Sequence, residues 1–110
     1  MYKSTSFEAI CYSIIRKEFP YFNGWLLSHR KQIGSICGTV SWVVQRNSEK
    51  ILIFCEMTKA LNKERIANVS LCKDAIRALK AIIFIPGFTN IDQDALEYAK
   101  EKNIEIRKIG

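Results

Sequence analysis

The sequence predicts an α/β domain built on a central mixed β-sheet flanked by helices, with elements in the order α-β-β-β-α-β-α-β. Three observations lead there. Apolar residues recur at helical spacing from Phe7 to Ile15, from Ile66 to Leu79 and around Leu96 to Ala99. Ile51–Met57 and Ala81–Ile85 are nearly unbroken apolar runs, as strands buried on both faces are. Thr39–Gln45 and Ile104–Ile109 alternate with the period of two expected of a pleated strand.

The elements follow in order. Thr5 and Glu8 have the spacing of a capping box, so a helix opens there and continues through Phe7, Ile10, Cys11, Ile14 and Ile15. Pro20 stops it. Trp25-Leu26-Leu27 reads as a strand after Asn23-Gly24, and HRKQIGSICG, basic and then glycine-punctuated, as a loop or hairpin connection. Val40, Trp42 and Val44 form the more apolar face of the next strand, and Arg46-Asn47-Ser48-Glu49 makes the turn into the strand 51–57. Asn62 is the expected N-cap of a helix running to about Lys80, striped by Ile66, Val69, Cys72, Ile76 and Leu79. Pro86-Gly87 closes the strand 81–85. Thr89 or Asn90 caps the last helix, Asp92 and Asp94 lie in its first turn where the helix dipole favours them, and Asn103 ends it. Ile104–Ile109 is the final edge strand.

The 110 residues form one domain, 1–110, without internal repeat, linker or low-complexity segment. An apolar content of 48% is enough for a packed core. No apolar run approaches the roughly 20 residues that span a bilayer, and the charged N-terminal pattern is not that of a signal peptide, so the expected location is cytoplasmic, with no membrane partner. The cysteines, at 11, 37, 55 and 72, are too far apart for a zinc knuckle and read as reduced, structural thiols. Net charge is +6 and uneven: residues 1–80 carry 13 Lys and Arg against six acids, residues 81–110 four against five. A basic body is compatible with binding a phosphate backbone, as it is with a plain lysine-rich surface.

The order of elements, Phe7-Glu8 at the start of the first helix, the strand pair GTVSWVVQRNSEKILIFCEM and the ending AIIFIPGFTNIDQDALEYAKEKNIEI together resemble the restriction-endonuclease-like PD-(D/E)xK nucleases. Within that superfamily they are most similar to archaeal Holliday-junction resolvases and Mrr-type domains. The resemblance spans roughly residues 5–109 and implies the αβββαβ core of that fold with an additional C-terminal helix and strand. In active members an Asp on the first strand of the pair and a Glu on the second hold a divalent ion. A Lys two residues after the Glu, on the same face of the strand, helps to activate water.

The matching positions here are Ser41, Phe54 and Glu56. The motif is therefore absent residue by residue, and the resemblance implies a catalytically degenerate member with no catalytic or metal-ligating set and no cofactor. No register supplies an Asp, since the first in the chain is Asp74. A relocated site would draw on Glu8, Glu56 and Lys59, and only then would magnesium or manganese be required. Glu8 reads first as the capping-box partner of Thr5; in some resolvase relatives a Glu at this position is linked to the metal.

The function this implies is metal-independent binding of DNA as an accessory to recombination, repair or defence. The expected phosphate-contacting rim is His29, Arg30, Lys31, Gln32, Arg46, Lys50, Lys59, Lys63 and Arg65. His29, the single histidine, reads on its own as an exposed side chain, and Trp25 and Trp42 read as core or interface residues before they read as platforms for bases. Resolvase relatives pair as dimers, so a homodimer is expected. Two alternatives remain: an inactive subunit or interaction module partnering an active nuclease paralogue, and an active endonuclease using the relocated site.

Overall fold

The structure, a computed structural model, describes residues 4–32 and 39–110. Helix α1 (Ser4–Glu18) is followed by a 3-10 turn at Tyr21–Asn23. Strands β1 (Leu26–Gln32), β2 (Thr39–Arg46) and β3 (Glu49–Cys55) come next, then α2 (Lys63–Ala75), β4 (Lys80–Pro86), α3 (Gln93–Glu101) and β5 (Ile104–Ile109). The five strands form one sheet in sequential order. β1–β2 and β2–β3 are antiparallel, while β3–β4 and β4–β5 are parallel, each reached through a helix.

Alternation along β3 divides the core in two. Leu52 and Phe54 face α2 and α3, where they pack with Ile66, Val69, Ile83, Ile85, Ala95 and Ala99. Ile51 and Ile53 face α1, where they pack with Phe7, Cys11, Ile15, Trp42, Val44 and Phe84. β3 and β4 are thus covered on both faces, which explains their unbroken apolar sequences. Trp25 and Trp42 are buried in the α1-side core, as their apolar neighbours suggested.

Several expected boundaries are corrected. The basic stretch His29–Gln32 is not a loop but the second half of β1, paired with β2 through His29↔Trp42 and Gln32↔Thr39. An edge strand needs only one apolar face, so its polarity misleads. α2 is capped by Asn62, whose side chain accepts from the Arg65 N–H, but it stops at Ala75 rather than near Lys80. Arg77 has taken a left-handed conformation, φ 57°, and Leu79 is exposed. α3 is capped by Asp92, not by Thr89 or Asn90. The Thr89 hydroxyl instead donates to the Thr58 carbonyl at 2.6 Å, and Asn90 forms a parallel bridge with Ala60. Thr5 lies inside α1 rather than at its N-cap. Cys11 is a free thiol, while Cys72, on the buried side of α2, is disulfide-bonded, contrary to the reduced thiol expected there.

One charged clamp fastens α1 to the β5 edge. Arg107 donates to both carboxylate oxygens of Glu18, at 2.5 and 2.7 Å, and also to Glu105, which accepts from Lys80 at 3.3 Å. The Arg107 hydrogen bond holds the Glu18 and Glu105 carboxyls below the ordinary carboxylate range. A depressed folded-state value stabilises the fold above the unfolded carboxylate pKa, about 4.3, and the contribution is lost as pH falls through the folded value. Arg107→Met should therefore be less stable than the parent at pH 7, and the gap should narrow towards pH 3. Urea unfolding at the two pH values checks this; an unchanged gap would show that Arg107 acts through its contact with the Phe84 ring, whose centroid is 5.6 Å from the guanidinium, and not through the carboxylates.

Candidate functional site

The site lies at the carboxyl ends of the parallel strands β3 and β4, where open α/β sheets place their ligand crevices. β3 ends at Cys55, but the Glu56 N–H still donates to the Phe84 carbonyl at 2.9 Å, so Glu56 is held as the last rung of the ladder. Residues two apart share a strand face, which puts Phe54 and Glu56 on the side covered by α2. Phe54 is 2% exposed within that core. The Glu56 carboxylate accepts a hydrogen bond from Arg65 Nε, and the Arg65 guanidinium lies 5.3 Å from the Phe54 ring centroid.

The Asn62 cap fixes this arrangement. It starts α2 so that Arg65, three residues later, turns back over the end of β3. Glu56, Thr58, Ala60, Leu61, Asn62 and Arg65 line a shallow depression of about 250 Å³. Ser41 lies on the β2 backbone one residue beyond the Trp42↔Ile53 pair, at the level of Phe54.

A hard divalent cation takes several oxygen ligands. Phe54 offers none, and the Glu56 carboxylate already accepts from a guanidinium. The residues at this position do not fit magnesium or manganese. Nor does the fold assemble the relocated set. Glu56 is tied to α2, whereas Glu8 is on α1 over the other face of the sheet and accepts from His29 Nε2 at 2.9 Å. Lys59 is exposed in the segment after β3.

The basic residues singled out from the sequence fall at two ends of the sheet. Arg30, Lys31 and Gln32, on the late part of β1, are level with the end of β3, where Lys59, Lys63 and Arg65 also lie. Lys59 and Lys63 are exposed; the Lys63 ammonium sits 5.0 Å from the Tyr98 ring centroid, and Arg65 is engaged by Glu56. Arg46 and Lys50 are at the opposite end, beside the two-residue turn Asn47-Ser48. A single continuous rim is thus not formed.

His29 is half exposed but not solitary, since its ring stacks on Trp42 at 5.4 Å and 17° in addition to its bond with Glu8. The Glu56–Arg65 pair escaped sequence reasoning. Its one available signal was an Arg three residues after a good N-cap.

The fold, a five-stranded mixed sheet flanked by helices, is an α/β core shared with several solved structures. Similar solved structures include a protein of unknown function, AF1548, with a TM-score of 0.63, 14% identity, and coverage of 86% of this chain and 54% of that one. The Pyrococcus furiosus SfsA structure in complex with Ca2+ has a TM-score of 0.59 and 14% identity, covering 96% of this chain and 57% of that one. The structure of an EndoMS–dsDNA complex has a TM-score of 0.59 and 16% identity, covering 93% of this chain and 44% of that one. The chain spans about half the length of each of these proteins. The sequence matches no protein-family model and no curated protein. Among the described residues no helix is long and apolar enough to cross a membrane.

Proposed function

We propose that this chain is a catalytically degenerate, nuclease-like DNA-binding protein, accessory to recombination, repair or defence and working without a metal ion. The observation that carries the reading is the closed end of β3. A buried Phe54 and an arginine-paired Glu56 stand where the resemblance to PD-(D/E)xK nucleases calls for Glu and Lys. Exposed Lys59 and Lys63 flank that end, and Arg30 and Lys31 lie level with it on β1. A backbone-binding surface needs such cations and no catalytic set. The EndoMS complex with dsDNA, a protein of similar fold, supports DNA as the ligand. The test is binding of duplex and four-way-junction DNA in EDTA at about 50 mM salt, where nonspecific electrostatic binding is strong. Retained binding without metal is expected, and no binding to either DNA would reject the reading.

A second reading, a subunit that pairs with a second copy or with an active paralogue, has its own support. Ile10, Pro86, Gly87, Phe88, Ile109 and Gly110 line an apolar depression of about 430 Å³, with Phe88 and Ile10 exposed. Large exposed apolar surface is a feature of interaction sites. This reading takes the lead if DNA binding is absent.

A further inference from the structure

The opposite end of the sheet carries a second cluster of cations and aromatics. The chain leaves α1 at Glu18 and enters β1 at Leu26 through Phe19, Pro20, the 3-10 turn Tyr21–Asn23, Gly24 and Trp25. Both ends of this connection are anchored in the core. Phe19 and Trp25 are buried and meet edge to face, with ring centroids 5.0 Å apart. The turn is closed by its own backbone, as Asn23 N–H donates to the Pro20 carbonyl at 3.1 Å and Gly24 N–H to the Tyr21 carbonyl at 2.9 Å. Gly24 supplies the left-handed φ of 88° that turns the chain into β1. A pinned turn therefore displays what lies at its tip, and that is aromatic: Phe22 is 88% exposed and Tyr21 55%.

Two arginines flank the tip, and each is laid against an aromatic ring. The Arg16 guanidinium lies 3.5 Å from the Tyr21 ring centroid, and that of Arg46 lies 4.4 Å from the Trp25 centroid. Arg16 Nη1 is buried with no hydrogen-bond partner among the described residues. Arg46 makes a loose contact with Glu49, at 3.8 Å. A guanidinium held flat on a ring keeps its charge, and the edge donors that reach solvent remain for an anion. Exposed rings beside such cations make a stacking platform for unpaired bases, whose phosphates the arginines neutralise.

We infer that Phe22 and Tyr21, with Arg16 and Arg46, form a binding site for single-stranded DNA, separate from the crevice at the end of β3. The choice of DNA over RNA rests on the function proposed above; the stacking site rests on its own geometry. Duplex DNA hides its base faces, so the tip engages strands that are already open, such as junction arms, flaps or gaps.

The experiment is fluorescence anisotropy of the full chain with a dT oligomer of about 12 nucleotides, within the span of known single-strand sites. A duplex of equal length and an rU oligomer are run in parallel. Phe22→Ala should weaken binding to the dT oligomer about tenfold or more, the effect of losing one stacked base, and leave duplex affinity within about twofold. Phe22→Trp should restore it. Phe22 is almost fully solvated, so these variants should keep the parent's melting curve. Unchanged dT affinity in Phe22→Ala, with duplex binding intact, would overturn this site and leave the function proposed above standing. Failure of the parent to bind either polymer would overturn both. Tighter binding of the rU oligomer would overturn the assignment to DNA. Self-association that Phe22→Ala abolishes, without change in dT affinity, would overturn the site in favour of a protein interface.

Discussion

Phe54→Ala should cost about 3–5 kcal/mol of stability, among the larger losses a single core substitution produces. The ring is 2% exposed and packs among Leu52, Ile66, Val69, Ile83 and Ile85, between β3 and the two helices that cover it. Truncation removes its transfer free energy and leaves a cavity that two strands buried on both faces cannot readily close. It also takes away the ring beneath the Arg65 guanidinium, so the Glu56–Arg65 pair loses part of its support. Equilibrium unfolding in urea checks the value. A loss below about 1 kcal/mol would mean that Phe54 is not packed in the core, and the reading of this position as a filled metal site would fail with it.

DNA affinity should collapse with salt. Each phosphate neutralised on a duplex releases condensed counterions, giving a slope of roughly −0.9 per contact in log K against log salt. A surface touching about six phosphates would lose about a thousandfold between 50 and 200 mM salt. Lys59→Ala with Lys63→Ala removes two exposed cations beside the Glu56 depression and should make the slope shallower by about 1.8. Arg30→Ala with Lys31→Ala should weaken binding about equally for every sequence, because phosphate contacts position a protein without reading bases. Salt titrations of the parent and both double variants measure this. Binding that ignores salt, or slopes that the substitutions leave alone, would move the interface away from this end of the sheet.

Much of the fold could be read from the sequence because its strongest signals have local causes. β3 and β4 are buried on both faces, and Ile51–Phe54 and Ala81–Ile85 say so directly. Asn62 announced α2, and Asn103, at φ 59°, marked the turn into β5. What misled was local pattern overridden by tertiary structure. Ile76 and Leu79 continue the helical stripe, yet Arg77 has already turned left-handed and the chain is heading into β4. Thr89 looked like a cap, but its hydroxyl is spent on the carbonyl of Thr58, which is distant in sequence. His29–Gln32 looked like a loop because an edge strand carries polar residues.

The site was legible in part. Ser41, Phe54 and Glu56 could be aligned to a known motif position by position. What holds Glu56 could not, since the Arg65 guanidinium reaches it only once α2 folds back over β3. The basic residues were legible as a list and not as a surface. β-strand register decides which end of the sheet each occupies, and it sends Arg46 and Lys50 away from the rest.

The most direct test is incubation of the purified chain with plasmid, linear and four-way-junction DNA in magnesium and then in manganese, with binding followed in EDTA on the same substrates. Phe54 supplies no ligand and Glu56 is already paired, so a productive metal site has too few oxygens at this position. The expected result is DNA that is bound in EDTA and stays intact with either metal. Cleavage that requires the metal and disappears in Glu56→Ala would contradict it, and would make this chain an active nuclease with a rebuilt centre.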